Sequence, residues 1–158
     1  MLLKAPNLDT LHISKTDVEA LPLRLFKDTR IENFKIADSE MTRINNQVFG
    51  SSSLKKLILE KNRLGALEED SFVHCKTLEH LDLSDNNIAE VHLEVLKPLV
   101  ELKKLDMDNN GLTFIPEDFL KRNKELRHLS LAGNSLDSLP CNLLKAGGMK
   151  FNSSVLPK

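Results

Sequence analysis

The chain has 158 residues, 41% of them hydrophobic, which supplies enough apolar side chains for one folded domain over residues 1–158. A formal charge of −1 and a pI near 6.5 supply no basic field, which disfavours nucleic acid and anionic membranes as partners. No apolar run approaches the length of about 18 residues that a membrane-spanning helix needs. Met1-Leu2-Leu3 is also too short for the core of a signal peptide, so we expect no membrane insertion by this chain.

One pattern recurs six times along the chain, at steps of 23 or 24 residues. Aligned on L-x-x-L-x-L-x-x-N-x-L, the copies begin at Leu8, Ile31, Leu54, Leu78, Leu102 and Leu126. The x-L-x-L-x part of each copy alternates apolar and polar residues, which is typical of a strand with one buried face. Each copy can bury its apolar face only against its neighbours, so the copies should stack as the coils of a solenoid. Their strands should form one parallel sheet with a spacing of about 4.8 Å.

The first two copies differ from the others at the asparagine position, where Thr16 and Ser39 replace it. The four later copies carry Asn62, Asn86, Asn110 and Asn134. An asparagine amide can both donate to and accept from backbone groups that a bend leaves unpaired, and so bond one coil to the next. A hydroxyl group can do only part of this. We therefore expect the first two coils to be less tightly tied.

In each copy an apolar residue follows three residues after the pattern, as Leu67 does after Leu64, and a further apolar position lies five residues beyond it. It is occupied by Phe26, Phe49, Phe72, Leu96, Leu120 and Leu144. We expect these residues to form a spine under the convex side, with the three aromatic rings stacked from coil to coil. Prolines 22, 116 and 140 argue against long helices on that side and favour turns and short 3₁₀ segments. Residues 91–99 have few breakers before Pro98 and could form one or two helical turns.

The repeat pattern resembles the leucine-rich repeat family over roughly residues 8–144. The 24-residue length, with Ile-Pro or Leu-Pro before the spine residue, is similar to the extracellular type found in Toll-like receptors, secreted arthropod immune proteins and adhesion ectodomains. The 23-residue steps weaken that distinction. The resemblance implies an α/β solenoid, a horseshoe with about six parallel strands on its concave side. Its convex side should be irregular, with short helical turns.

In this family the concave sheet binds ligands, so the exposed strand positions are the candidate site. In coils three to six a row of lysine and histidine residues runs beside a group of acidic residues, and Ile58 is a candidate apolar anchor. The candidate ligand-binding residues are Lys56, Ile58, Glu60, His80, Asp82, Asp85, Lys104, Asp106, Asp108 and His128. They suggest a protein partner with a basic patch. The alternative is a solvated charged face, because Leu-Asp-Leu-Ser commonly fills the strand of this family.

Neither end of the chain carries a recognisable cap, although a solenoid normally needs one. Leu2 precedes Leu8 by the same six residues that separate Leu96 from Leu102, as if the chain began inside a preceding coil. The period fails over residues 145–158, so incomplete or improvised caps are expected at 1–7 and 145–158. The chain is then a fragment of a larger receptor, a short protein that improvises its caps, or one that pairs end to end. We favour the first two.

The cysteines and one asparagine bear on the cellular compartment. Cys75 is expected to be buried, whereas Cys141 takes an outward position almost three coils away. The two should not pair, because a disulfide needs Cα atoms within about 7 Å of each other. Asn152-Ser153-Ser154 is a candidate glycosylation site, although such triplets also arise by chance. We expect an extracellular or secreted protein, with a cytoplasmic one as the alternative.

The sequence predicts no metal site, no cofactor and no catalysis. His80 and His128 lie on strands two apart, about 10 Å, which is too far to share one zinc ion. Asp82 and Asp106 are neighbours, but the pattern supplies no third oxygen ligand for calcium. The histidines are spread over an open surface, and no glycine-rich phosphate loop is present. We therefore predict a non-catalytic recognition module, with a structural or intracellular scaffold as the alternative.

Overall fold

The computed structural model describes residues 7–50 and 53–143 and the backbone of residues 150–151. Each of the six copies contributes one strand to a parallel sheet, and a seventh strand follows the last copy. The strands of this sheet are β1 Thr10–Ser14, β2 Asn33–Ala37, β3 Lys56–Ile58, β5 His80–Asp82, β7 Lys104–Asp106, β8 His128–Ser130 and β9 Lys150–Phe151. A second sheet pairs β4 Ala66–Leu67 with β6 Glu90–Val91 in parallel. The predicted solenoid is confirmed.

The seventh strand lies where the repeat pattern had ended. β9 pairs in parallel with β8, placing Lys150 beside His128 and Phe151 beside Leu129. The prediction of a parallel sheet of about six strands is confirmed, and β9 extends that sheet to seven strands in the described residues. The sequence did not indicate β9 because backbone pairing requires no leucine pattern, and the leucine period was the signal for a strand.

The leucines of the repeat build one core beneath the sheet. In β3, β5, β7 and β8 the middle residue is buried and its two neighbours are exposed or half-buried. Of the three spine rings, Phe26 and Phe49 stack with centroids 5.6 Å apart, and Phe26 also meets Phe34 edge-on at 4.9 Å. Phe72 is fully buried but has no ring partner among the described residues. Stacking of all three rings was therefore wrong, and Leu144 lies outside the described residues.

The convex side consists mainly of turns. It includes a 3₁₀ helix at Asn46–Val48. Residues 91–99 form successive turns, closed by bonds such as Val95 N–H to the His92 oxygen at 3.1 Å and Leu99 N–H to the Leu96 oxygen at 3.0 Å. The helical turns suggested there do not form as a helix. Val91 is drawn into β6, and Pro98 has no N–H to donate and disfavours a helical conformation of the residue before it.

The repeat asparagines bond each coil to the one before it. Asn86 Nδ2 donates to the backbone oxygens of Leu59 and Leu83 at 2.9 and 3.0 Å, and Asn86 Oδ1 accepts from the Leu64 N–H at 3.1 Å. Asn62, Asn110 and Asn134 repeat this geometry. In the first two coils the two hydroxyl oxygens of Thr16 and Ser39 lie 3.1 Å apart, with a longer bond from the Thr16 N–H to Ser39 Oγ at 3.3 Å. Two side-chain bonds therefore join coils one and two, as many as each asparagine makes to the preceding coil, and the lower stability of the first two coils remains a prediction.

A left-handed residue follows the strand segment in each of the six coils. The residues in this row are Lys15, Asp38, Lys61, Asp85, Asn109 and Gly133, with φ between 47° and 69°. This conformation costs most residues about 1–2 kcal/mol, and four of the six positions carry glycine, asparagine or aspartate, which tolerate it best. Lys15 and Lys61 have no such preference, so at these two positions stacking of the coils imposes the turn, which explains why the sequence did not indicate the row.

Replacing Gly133 by alanine is expected to destabilise the protein by about 1–3 kcal/mol. An added Cβ would lie 2.2 Å from Asn109 Oδ1, on a backbone with φ of +69°. Asn109 would have to move and give up its 2.9 Å bond to Asp85 Oδ1. Urea denaturation of Gly133→Ala beside Gly65→Ala, where the added Cβ meets open space, measures the effect. Equal stability of the two variants would contradict the prediction.

Candidate ligand-binding face

The first row of exposed side chains on the concave sheet is continuous in space. Strand register places Lys56 beside His80, His80 beside Lys104, and Lys104 beside His128. All four side chains are exposed. The geometry thus brings together the predicted lysine and histidine row, at about 4.8 Å per step.

The second row changes character along the solenoid. The same register aligns His12, Lys35, Ile58, Asp82, Asp106 and Ser130. Most of these side chains are half-buried, and only His12 is exposed. The row therefore runs from basic residues through one apolar residue to two carboxylates, in order of the coils.

The aspartates of the face are held in place by internal hydrogen bonds through one oxygen each. The Oδ1 atoms accept from Ser84 Oγ at 2.6 Å (Asp82), Asn109 Nδ2 at 2.9 Å (Asp85), Asp108 N at 3.2 Å (Asp106) and Ala132 N at 2.7 Å (Asp108). Within the described residues, none of the four Oδ2 atoms accepts a hydrogen bond. Each carboxylate is therefore oriented while one oxygen remains available.

Two predicted members of the acidic group have a lysine neighbour in the same chain. Lys35 Nζ lies 2.5 Å from Glu60 Oε1, and Lys104 Nζ lies 4.0 Å from Asp106 Oδ2. The negative charge of Glu60 is therefore neutralised by Lys35. The sequence had counted Glu60 among the free acidic residues of the face. Lys56 has no ion pair among the described residues. The sequence concealed the first contact because its partners are 25 residues apart.

Burial shifts the pKa of two residues of the face. It raises the pKa of the Asp106 carboxyl, and the nearby Asp108 and Asp82 carboxylates raise it further. Burial also lowers the pKa of His80 below its ordinary 6.5, and the positive charge of Lys56 adds to that effect. His80 is therefore neutral near pH 7. In coils three to five, the positive charge of the first row comes from Lys56 and Lys104.

The Asp106→Asn variant should be more stable than the parent at pH 7. The Asp106 pKa is raised on folding, so its protonated form favours the folded state and that contribution is lost as pH rises through the folded pKa. Asparagine stays neutral and can keep the 3.2 Å bond from the Asp108 N–H. The advantage should shrink as pH falls and disappear below the ordinary aspartate pKa of 3.8. Urea midpoints measured between pH 3 and pH 8 test this, and a variant less stable at pH 7 would refute it.

An open depression lies at the amino-terminal end of the concave face, with a volume of about 300 Å³. Its polar lining is Thr10, His12, Asn33, Lys35 and Lys56, and Leu11, Phe34 and Ile58 contribute its apolar part. The sequence placed the candidate site on coils three to six and did not indicate this depression, which residues of coils one and two help to line. The alignment of His12 and Lys35 with Ile58 was the signal that could have revealed it.

The two cysteines differ in exposure, as the sequence predicted. Cys75 is buried and Cys141 is exposed, and no disulfide joins them. Asn152 lies outside the described residues. Over residues 7–50 and 53–143, no three histidine, cysteine or acidic side chains are grouped so that they could hold a metal ion. The same part of the chain contains no helix long and apolar enough to cross a membrane.

The structure is a solenoid of parallel strands with rows of polar side chains on an open sheet. These features define a solenoid repeat protein. The chain belongs to the leucine-rich repeat family, whose model matches residues 52–112 and 100–145. The resemblance seen in the sequence is thereby confirmed. No curated protein sequence matches the chain.

Solved structures share this fold over most of the chain. A chain of the glycosylated Toll–Spatzle complex of Drosophila superposes with a TM-score of 0.83 and 24% identity, over 93% of this chain and 20% of that one. A chain of the TLR13–ssRNA13 complex superposes with a TM-score of 0.86 and 22% sequence identity, over 94% of this chain and 22% of that one. A leucine-rich repeat protein of Leptospira interrogans superposes with a TM-score of 0.75 and 26% sequence identity, over 86% of this chain and 34% of that one. The chain thus spans a fifth to a third of the length of these proteins.

Proposed function

We propose that this chain is a non-catalytic recognition module that binds a protein partner on its concave face. The observation that carries the proposal is the pair of aligned rows, in which oriented carboxylates lie beside exposed lysines on one open sheet. We place binding on the ten candidate residues of coils three to six. A basic patch on the partner would face the aspartates, and Ile58 would supply an apolar contact.

The internal bonds of the aspartates support this proposal energetically. A side chain already held in one orientation loses little conformational entropy on binding. Asp82 is fixed by two bonds from Ser84, and Asp108 is fixed by the Ala132 N–H. The face can therefore offer its charge to a partner at low cost.

We favour a protein partner over a nucleic acid. One structural neighbour was solved as the Toll–Spatzle complex and another in complex with ssRNA13, so the shared fold does not decide between the two. Four aspartates on the concave face and a net charge of −1 would repel a phosphate backbone. We further propose an extracellular role in innate immunity or cell-surface recognition, supported by the extracellular type of the repeat. The alternative is an intracellular or structural scaffold.

The test is capture of partners by the purified chain from extracellular fluid and, separately, from cell lysate. The parent is compared with a variant carrying Lys56→Ala, Ile58→Ala, Asp82→Ala and Asp106→Ala, whose fold is checked by circular dichroism. A convex-side control carries Leu93→Ala, Glu94→Ala, Lys97→Ala and Glu117→Ala. We expect a protein captured from extracellular fluid by the parent and the control but lost by the concave variant. Equal capture by all three chains would refute the concave site, and capture from lysate alone would favour the scaffold.

A further inference from the structure

Building on the proposed function, we propose that the concave face binds an extended segment of its partner with a fixed order of side chains. An acidic side chain would lie over coils one to three, an apolar one over Ile58, and a basic one over coils four and five. The partner would thus carry the motif acidic-x-apolar-x-basic. Three observations on different coils carry this inference.

The first observation is a charge asymmetry along the solenoid. Over the four positions of each coil that the repeat pattern predicts to face outward, coils one to three carry four lysines against two acidic residues, whereas coils four to six carry four aspartates against one lysine. The first set is Lys15, Lys35, Lys56, Lys61, Asp38 and Glu60, and the second is Asp82, Asp85, Asp106, Asp108 and Lys104. The face is therefore positive at one end and negative at the other. A uniformly charged partner would be repelled at one of the ends.

The second observation is the depression at the positive end. Lys56 borders it without an ion pair among the described residues, and Lys35 borders it while bound to Glu60 at 2.5 Å. Asn33 Nδ2 is already turned towards Thr10 Oγ1 at 3.4 Å. A carboxylate entering from the partner would find one uncompensated ammonium group and a second that it could share with Glu60. The apolar part of the lining would contact the aliphatic portion of the same side chain.

The third observation is the position of Ile58 between the two charged ends. Strand register places Ile58 beside Lys35 on one side and beside Asp82 on the other. It is the one apolar residue of the second row, and its side chain is half-buried. Beyond it, Asp82 and Asp106 each keep one oxygen free of internal hydrogen bonds. A basic side chain there would also offset the mutual repulsion that helps to raise the Asp106 pKa.

The spacing of the row matches an extended peptide. Three strand steps of about 4.8 Å separate Lys35 from Asp106, a span of about 14 Å. In an extended segment the residues i, i+2 and i+4 point to the same side and span about 14 Å. Because the row is one residue wide, a single line of side chains is sufficient to contact it. The total spans agree, and the middle side chain, about 7 Å along the segment, falls within about 2 Å of Ile58, which lies about 5 Å along the row. The order is therefore acidic, apolar and basic at every second residue.

The direct test titrates synthetic peptides into the ¹⁵N-labelled chain and follows backbone amide shifts. The probe is the capped peptide Glu-Ser-Leu-Ser-Arg, and the control is Glu-Ser-Arg-Ser-Leu, which has the same composition. We expect the probe to bind about fivefold more tightly, because one favourable charge contact contributes about 1 kcal/mol. Its shifts should fall on β1, β2, β3, β5 and β7. Equal affinities, or no binding of either peptide, would overturn the proposal.

Charge reversal on the protein tests the order independently. Lys56→Glu should weaken the probe about tenfold and should instead favour the capped peptide Lys-Ser-Leu-Ser-Arg. Lys55→Glu is the matched control, because Lys55 is also exposed but bonds to Glu32 at 2.9 Å. Failure of the Lys peptide to recover binding would overturn the inference. So would sodium phosphate producing the same shifts as the probe, because the positive end would then be a simple anion site.

The outcome also separates this inference from the proposed function. If no peptide binds, while the parent still captures a partner that the concave variant loses, the ordered segment is wrong and the concave site stands. If no peptide binds and the parent and the concave variant also capture the partner equally, both proposals fail.

Discussion

The Asn86→Ala variant is expected to lose about 4 kcal/mol of unfolding free energy. Asn86 is buried and is the only side chain among the described residues that bonds the Leu64 N–H, while it also satisfies the oxygens of Leu59 and Leu83. Alanine leaves the buried Leu64 N–H without a partner, at about 1–3 kcal/mol, and removes one of the two asparagine bonds on each oxygen, at about 0.5–1.5 kcal/mol each, because Asn62 and Asn110 keep theirs. Because Asn86 joins coils three and four in the middle of the solenoid, the loss should also reduce cooperativity. Urea denaturation followed by circular dichroism measures the midpoint and the slope.

Asn87 provides the matched control, since it is the next residue along the chain and its side chain is exposed. Its backbone N–H bonds to the Leu64 oxygen at 3.0 Å, and alanine preserves that bond. Asn87→Ala should change the unfolding free energy by less than about 0.5 kcal/mol. Similar effects of the two variants would mean that the asparagine ladder contributes little to stability.

The Phe26→Ala variant should also cost about 4 kcal/mol. Phe26 is fully buried, stacks on Phe49 and meets Phe34 edge-on, so truncation leaves a cavity and removes two ring contacts. A buried phenylalanine replaced by alanine typically costs 3–5 kcal/mol, and each aromatic pair contributes about 0.5–1.5 kcal/mol within such totals. Thermal and urea denaturation would report the loss. It should appear first in the amino-terminal coils, which contain Phe26 and both of its ring partners.

Phe114 is the natural comparison for Phe26, because its side chain is 61% exposed. Phe114→Ala removes the same atoms without leaving a cavity, so its unfolding free energy should stay within about 0.5 kcal/mol of the parent. A loss at Phe114 as large as that at Phe26 would show that ring burial in the spine is not the cause.

The recognition surface and the stability of the chain rest on different residues of each repeat. Leucines such as Leu81 and Leu105 are buried and hold the coils together, whereas their neighbours His80 and Lys104 face outward. Each coil can therefore change its outward residues with little effect on packing. This separation explains how two rows of different chemistry can be carried on one uniform core.

The residue pattern determined the fold because each leucine of the repeat has only one place in the core. The period fixed the six strands and their register, and the alternation fixed which residues face outward. It also predicted the roles of Asn62, Asn86, Asn110 and Asn134, since an amide in a tight bend has few other partners. Asn123 was missed. It lies outside the repeat pattern, yet it is buried and donates to the oxygens of Leu96 and Leu99 at 2.9 and 2.7 Å.

The tertiary structure alone decided the contacts between coils. The strand β9, the left-handed turn after the strands of coils one and three and the compensation of Glu60 by Lys35 arise from stacking, in which residues about 24 positions apart become neighbours. The depression beside Lys56 likewise exists only once coils one to three lie side by side. A sequence read along one coil determines which residues are outward, because the period is local. How outward charges pair, and which remain available to a partner, depends on side chains of adjacent coils and therefore on the assembled solenoid.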